Sequence, residues 1–359
     1  MLKNYSLLLL ISFLVSFQAN SQSNISSTLS SHFEEYALND ISTENLYQRL
    51  QDESKFHNVK LTLGDRTYRM ELHDSGLRSE NFRVRLASGK PFEEQLPVNL
   101  KGHLIGDLSS SIRLTVNDGF LFGYIKEKGS VLNVQPANQF DKSAPNNLII
   151  SYFDSDIKEL TTPHTCAVDA VRDNVQDQVS GHVQRTTGAC HEVDVALAGD
   201  WLLVDLIGDV GSTENQIEGI LNNVAGNYDD EFCDVVEMDV ADVYISDCST
   251  CDPWTSSTNA GSFLNDFTSW GPGNFSSHDV ATAWTGRDFN GSTIGVAWLG
   301  GVCGSLRYNV CEHFTFNGSL LRVLQAHELG HNFAAEHDGS GGFILSLIHI
   351  WTLPTTPYV

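Results

Sequence analysis

Residues 327–337 of this 359-residue chain read His327-Glu-Leu-Gly-His331-Asn-Phe-Ala-Ala-Glu-His337. On a helix, positions i and i+4 lie one turn apart on the same face, so the first two imidazoles can bind one ion. The third histidine brings the number of nitrogen ligands to three, which leaves one position of a tetrahedral zinc ion open. Glu328 can then contact a water molecule at the open position. The alternative interpretation is a histidine-rich helix end that holds no metal.

The sequence around this motif predicts a mixed sheet packed against helices. Apolar residues before the motif predict a helix from near Ser319 through Asn332. Residues 193–198, 235–245 and 294–299 have strand character. Apolar residues at helical spacing predict another helix around residues 217–228, and Thr213-Glu-Asn-Gln216 has the composition of a capping box at its start. This order of strands and helices indicates an α+β domain.

A β-rich region precedes this domain. Strand character is found at residues 59–63, 67–72, 82–86, 112–116 and 131–134. Asn117-Asp-Gly119 has the composition of a hairpin turn. No catalytic cluster is recognisable in this part of the sequence. The polar stretch from about residue 170 to Gly188 predicts a linker, with Arg185 as a processing point.

The first 21 residues predict an export signal. Lys3 supplies the positive charge, residues 7–17 are apolar, and Ala19 and Ser21 are the small residues before an expected cut. The apolar run is too short to span a bilayer, which takes roughly 20 apolar residues, and no later run reaches that length. We therefore expect a secreted protein without a membrane span, in a compartment that permits disulfides.

The charge balance excludes some classes of binding partner. Acidic residues outnumber basic ones 45 to 21, which gives a formal net charge of −24. Because phosphate binding needs basic patches, we expect no nucleic acid or anionic lipid as a partner. We interpret the acidity as a solvated surface, with adaptation to salt as the alternative.

The seven cysteines predict a disulfide framework. Six of them lie between Cys190 and Cys311 and could form three disulfides, with roughly 15 pairings. Cys248-Ser-Thr-Cys251 has the spacing of a redox or zinc motif, but in an exported chain structural disulfides are the favoured interpretation. The seventh, Cys166, stands apart from the rest.

Residues 327–338 resemble the metzincin motif H-E-x-x-H-x-x-G-x-x-H of zinc metalloproteases. With Asp338 directly after the third histidine, the motif resembles that of the adamalysin (reprolysin, ADAM-like) branch of these proteases. The residues His278-Asp-Val-Ala and Thr285-Gly-Arg-Asp288, together with residues 293–300, resemble that branch's approach to the active site. Residues 102–136 resemble its propeptide.

The resemblance implies a fold and a domain organisation. A signal peptide would occupy residues 1–21, a β-rich propeptide residues 22–185 and a metzincin catalytic domain residues 186–342. The catalytic domain would contain a mixed, mostly parallel twisted sheet with an active-site helix and an antiparallel edge strand.

The resemblance also implies site residues. His327, His331 and His337 would bind one zinc ion, and Glu328 would be the general base when a zinc-activated water hydrolyses peptide bonds of protein substrates. An extended substrate would add to an edge strand formed by Ile294, Gly295, Val296, Ala297, Trp298 and Leu299, although a buried structural strand is the alternative. A structural calcium ion is also implied, without a ligand set that the sequence identifies.

By the same resemblance, Cys166 would be a cysteine switch. Its thiolate would occupy the open zinc position, so that the chain's own propeptide inhibits the enzyme and the precursor is a zymogen. The alternative is that Cys166 pairs with a cysteine that the chain lacks.

The sequence departs from the family pattern at two places. Ala334 stands where the family has glycine, and a positive φ there would cost roughly 1–2 kcal/mol. The family's methionine turn is absent, because the only methionines are Met1, Met70 and Met238. Residues 343–359 match nothing in the family, and we expect them to be non-native and the catalytic domain to be truncated before that turn.

These observations predict a secreted zinc-dependent endopeptidase precursor. One alternative is a secreted protein that binds zinc but is inactive, because the methionine turn and the lower subdomain are missing. Another is an adhesion or recognition module with an incidental histidine cluster, against which the intact Glu328 argues.

Overall fold

The computed structural model describes residues 25–52, 55–158, 164–167, 191–232 and 236–337. The predicted signal peptide, the linker with Arg185, Asp338 and the tail after Gly342 lie outside these residues. In the described part of the chain, no helix has the length and apolar character needed to cross a membrane.

The regular elements of the described residues include fifteen strands and five α-helices. The strands are β1 (Ala37–Asp40), β2 (His57–Leu63), β3 (Arg66–Asp74), β4 (Arg78–Leu86), β5 (Val98–Leu104), β6 (Asp107–Asn117), β7 (Phe120–Glu127), β8 (Ser130–Pro136), β9 (Leu148–Phe153), β10 (Thr165–Cys166), β11 (His191–Gly199), β12 (Val236–Ile245), β13 (Val280–Thr285), β14 (Thr293–Ala297) and β15 (Tyr308–Glu312). The helices are α1 (Thr43–Leu50), α2 (Trp201–Ile207), α3 (Val210–Phe232), α4 (Ala260–Trp270) and α5 (Gly318–Asn332).

The N-terminal part forms an antiparallel sheet of eight strands in the order β1-β9-β8-β7-β6-β5-β3-β2. Alternation of apolar and polar residues buries one face of its strands, as at Val59, Leu61 and Leu63 of β2. The expected hairpin turn joins β6 to β7, and Gly119 adopts a φ of +71° there. The strands predicted at residues 59–63, 67–72, 112–116 and 131–134 fall within β2, β3, β6 and β8.

The C-terminal part is built on a mixed sheet of seven strands in the order β10-β14-β15-β13-β11-β12-β4. All neighbours are parallel except β14, which runs antiparallel to β15. The helix predicted from near Ser319 is α5, and the strand expected over residues 294–299 is β14. This strand ends at Ala297, because the chain turns at Gly300, which has a φ of +68°.

Helix α3 joins the two sheets. One apolar core contains Ile217, Ile220 and Leu221 of α3, Phe122 of β7 and Leu324 of α5. The side chains of this core are almost completely removed from water, so the two parts of the chain bury apolar surface against each other. Helix α5, which carries the histidine motif, is thereby held against the sheet below it.

The strand predicted at residues 82–86 lies within β4, which pairs with β12 of the C-terminal sheet, where Arg83 and Arg85 bind the buried Asp242. One sequence prediction, the cap of α3, was wrong. Asp209 rather than Thr213 caps α3, because its carboxylate accepts from the backbone N–H of Ser212 at 2.7 Å. Thr213 lies inside the helix.

Candidate metal centre

Helix α5 places the first two histidines of the motif. Asn317 caps it by accepting from the backbone N–H groups of Ser319 and Leu320 at 3.0 and 3.2 Å, which satisfies two amides that lack a partner within the helix. Leu324 is buried against the sheet. The helix is therefore fixed in rotation, with His327 and His331 on one face.

The three imidazoles converge on one point. The Nε2 atoms of His331 and His327 are 2.8 Å apart, and the Nε2 atom of His337 is 3.1 Å from each of them. Three nitrogen ligands about 2.0–2.1 Å from one tetrahedral ion lie about 3.3 Å apart, close to what is seen here. The donor set and its spacing therefore fit a zinc ion.

The chain reaches His337 by a tight turn after α5. The backbone N–H of Ala335 donates to Gly330 O and that of Ala334 donates to His331 O, both at 2.9 Å, which is the pattern of a Schellman motif. Ala334 has a φ of +70°, the left-handed conformation that favours glycine. Ala334 therefore has the positive φ at which an alanine is strained.

Hydrogen bonding and burial prepare the imidazoles to bind a metal. His331 Nδ1 is 2.6 Å from the Ala335 carbonyl oxygen, which requires Nδ1 to carry the proton and leaves the lone pair on Nε2. Burial, and then the neighbouring His331 and His337, hold the pKa of His327 well below its usual value. Neutral imidazole is the form that ligates zinc.

Glu328 lies beside this cluster and is fully buried. Burial raises the pKa of its carboxyl to about 8, and a divalent cation next to it would lower that pKa again. Its Oε2 accepts from the Cys166 thiol at an S–O distance of 3.4 Å. Its Oε1 has no hydrogen-bond partner among the described residues.

Cys166 comes to the centre on a separate strand. Strand β10 lies parallel to β14 on its outer edge, and the N–H groups of Thr165 and Ala167 donate to Ser292 O and Gly295 O. The Cys166 sulfur and the ring nitrogens of the three histidines all lie within 4.8 Å of one another. The segment around Cys166 therefore covers the outer edge of β14 and lies beside the three imidazoles.

The predicted edge-strand residues divide into two groups. Ile294, Gly295, Val296 and Ala297 belong to β14, which has β15 on one side and β10 on the other. Trp298 and Leu299 follow the strand, and the Trp298 indole donates to Thr268 Oγ1 at 2.8 Å. The outer edge of β14 is thus in place for strand pairing, over a shorter length than the sequence predicted.

Sequence reasoning missed Asn332, a residue that ties α5 to the end of β14. Its buried amide donates to the carbonyl oxygens of Trp298 and Tyr308 at 2.9 and 3.2 Å and accepts from Asn309. The Gly300 amide also donates to His331 O at 2.8 Å. No local sequence signal marks this asparagine, because its partners lie far away along the chain.

The described residues contain one further group of metal-binding side chains, Asp247, Cys248 and Cys251. Cys248 and Cys251 form a disulfide with each other, whereas Cys303 and Cys311 are not in disulfides. One of the three expected bonds is therefore seen among the described residues; Cys190 and Cys233 lie outside them. Calcium prefers ligands that are all oxygen atoms, and neither of the two metal-binding groups among the described residues consists of oxygen ligands alone.

Comparison with known families agrees with this geometry. Residues 190–343 match the family model described as metallo-peptidase family M12, Reprolysin_5. The match includes the three histidines, Glu328 and β11 to β15, and it begins after the N-terminal sheet and Cys166. This part of the chain is therefore similar to reprolysin-like metalloproteases, which supports a zinc-dependent protease in general.

Proposed function

We propose that the chain is the precursor of a secreted zinc-dependent endopeptidase. The observation that carries the proposal is the convergence of three imidazole Nε2 atoms, 2.8–3.1 Å apart, beside a buried glutamate. The export signal and the cysteines support secretion, and the match to M12 metallopeptidases supports the reaction class. Proteins or peptides would be the substrates.

His327, His331 and His337 would hold the zinc ion through Nε2. When bound, zinc supplies a Lewis acid that polarises the scissile carbonyl and acidifies water. Glu328 is the general base, which takes a proton from the attacking water and delivers it to the leaving amine nitrogen. Because its carboxyl is enclosed, little bulk water competes for that proton.

Strand β14 would bind the substrate backbone. Its outer edge already receives β10 through main-chain hydrogen bonds, which is the mode of recognition known as β-strand addition. A substrate would replace β10 there and bring its scissile bond to the position now held by the Cys166 thiol.

The same contacts support latency of the precursor. The Cys166 sulfur and the three ring nitrogens lie within 4.8 Å of one another, which supports its thiolate as the fourth zinc ligand, and sulfur is a ligand that zinc binds well. Residues 22–185 would then act as an inhibitory propeptide, and cleavage in the linker near Arg185 would release the active centre.

The test is a Glu328→Gln variant of the full chain, assayed for bound zinc and for cleavage of a quenched peptide with and without chelator. We expect about one zinc per chain in both proteins and, once the linker near Arg185 has been cleaved, chelator-sensitive turnover in the parent that falls at least a thousandfold in the variant. Glu336→Gln, the same chemical change at an exposed position of the motif, is the matched control. Undiminished turnover in Glu328→Gln would refute the assignment. Zinc without turnover in the parent, even after cleavage of the linker, would favour the inactive zinc-binding protein.

A further inference from the structure

Three residues form a row across the sheet next to the metal centre. In the strand register, Cys166 of β10 is the partner of Gly295 of β14, which is in turn the partner of Cys311 of β15. Residues in one row direct their side chains to the same face of a sheet. The two cysteines therefore flank a position on that face where Gly295 leaves no side chain.

The carboxyl group of Glu328 fills this position. A Cβ atom added to Gly295 would lie 2.8 Å from Glu328 Cδ, 2.9 Å from Leu324 Cδ1 and closer still to Glu328 Oε1. Real Cβ atoms essentially never approach so closely. Gly295 does not have a positive φ, so the backbone conformation does not require glycine here. The space does.

We infer that Gly295 is a positioning residue, whose missing side chain lets α5 approach β14 and fixes the Glu328 carboxyl against the substrate strand beside Cys166. The inference rests on the proposed function only for the catalytic role of Glu328. It gives Gly295 a part in catalysis that differs from strand pairing, because any side chain at this position would displace the general base.

Whether the fold tolerates a side chain at position 295 depends on which neighbouring atoms can move. The nearest atoms are the far ends of the Glu328 and Leu324 side chains, not backbone, so the fold can accommodate alanine by moving them. Both residues are enclosed, so the movement strains the packing. The carboxyl is displaced while His327 and His331, held by the helix backbone, keep their places.

The experiment is a double-mutant cycle in the full chain, comprising the parent, Gly295→Ala, Glu328→Ala and the double variant. We expect Gly295→Ala alone to lower Tm by about 3–10 °C, and by less than a third of that amount when Glu328 is already alanine. Gly273→Ala, at a glycine with open space around it, is the control for the general effect of replacing glycine. Zinc content should be unchanged in Gly295→Ala.

A kinetic arm tests positioning directly. After cleavage of the linker near Arg185, Gly295→Ala should lower kcat by about a hundredfold with KM changed less than threefold, since a shift of about 1 Å in a catalytic group has that effect. Glu328→Asp, whose carboxyl is one methylene shorter, should cost less in the Gly295→Ala background than in the parent.

Equal losses of Tm in both Glu328 backgrounds, or no loss in Gly295→Ala, would overturn the inference. If Gly295→Ala does not fold but the double variant does, the inference is supported; if neither folds, it is overturned. The thermal cycle needs no peptidase activity, so it is decided independently of the proposed function.

Discussion

At the scale of single residues, Ala334 shows a local conflict between sequence and backbone. The turn from α5 to His337 needs a left-handed residue, and alanine pays a steric penalty there that glycine would not. Three imidazoles on one zinc ion would offset this strain, because apparent zinc-binding energies are about 10–16 kcal/mol in structural sites.

Ala334→Gly should therefore stabilise the protein. We expect a gain of about 1 kcal/mol in the free energy of unfolding, seen as a higher midpoint in urea. Ala335→Gly, the same change at the next residue, which has no positive φ, should destabilise instead. A loss of stability in Ala334→Gly would show that the turn is not held in the left-handed conformation.

Cys166 is the second residue with a specific prediction. Removal of zinc by a chelator should speed alkylation of Cys166 by iodoacetamide at least tenfold, because a metal-bound thiolate is protected from the reagent. Peptide mapping by mass spectrometry would measure the rate. Cys303, an exposed thiol with a raised pKa because of partial burial and the neighbouring Asp279, is the internal control and should be unaffected.

Cys166→Ala should also give a precursor more active than the parent, by about tenfold or more if the thiol blocks the open ligand position. A precursor with unchanged activity, or equal alkylation with and without chelator, would count against the switch.

At the scale of elements, the amino ends of β11 and β12 bring like charges together. Asp194 lies beside Asp239, and Glu192 beside Glu237, in the parallel register. Burial, then a hydrogen bond and the charge of Glu192, raise the pKa of Asp239 to about 7 from an ordinary value of 3.8. The folded protein therefore holds this proton more tightly than the unfolded chain does.

The raised pKa of Asp239 makes the stability of the fold decrease as the pH rises. A carboxyl whose pKa is raised by folding stabilises the fold at low pH, and that contribution is lost as pH rises from about 4 to about 7. Asp239→Asn should remove the loss, so its Tm relative to the parent should be higher at pH 8 than at pH 4. Val236→Ala, an uncharged change on the same strand, should shift Tm equally at both pH values. An Asp239→Asn difference that is the same at both pH values would exclude the effect.

Across the molecule, the N-terminal region completes both edges of the seven-stranded sheet. Strand β10 covers β14 beside the metal centre, and β4 extends the opposite edge next to β12. Asp242, which is fully buried, accepts from the guanidinium groups of Arg83 and Arg85 and from the backbone N–H of Ser276. The second edge thus offers an anchor for the N-terminal region that is independent of zinc.

Arg85→Ala should loosen this anchor. Because the variant leaves a buried carboxylate with one arginine, we expect a loss of about 2–4 kcal/mol in stability and faster cleavage of residues 78–90 in limited proteolysis. Arg66→Ala, which removes an exposed ion pair with Glu127 inside the N-terminal sheet, should cost less than about 1 kcal/mol. Equal effects of the two changes would mean that β4 does not anchor the region.

Much of the architecture could be predicted from local patterns. Alternation of apolar residues located β2, β3, β6 and β8, and helical periodicity before His327 located α5 to within a residue. The capping residue of α3 was misplaced, because Asp209 competes with Thr213 and the choice depends on where the chain enters the helix. The strand at residues 82–86 was predicted, but its pairing with β12 was not, since Asp242, which binds Arg83 and Arg85, lies more than 150 residues away along the chain.

Which atoms can bind the metal follows from local sequence, because the spacing of His327, His331 and His337 along a helix and its exit is a local property of the chain. Local sequence also marks Glu328 and Cys166 as chemically suited to act beside them. Folding, in contrast, brings Cys166 across β14 to the imidazoles and places the Glu328 carboxyl in the space left by Gly295. Those contacts join segments far apart along the chain, and they form only when the strands pair and the core packs, which no local pattern encodes.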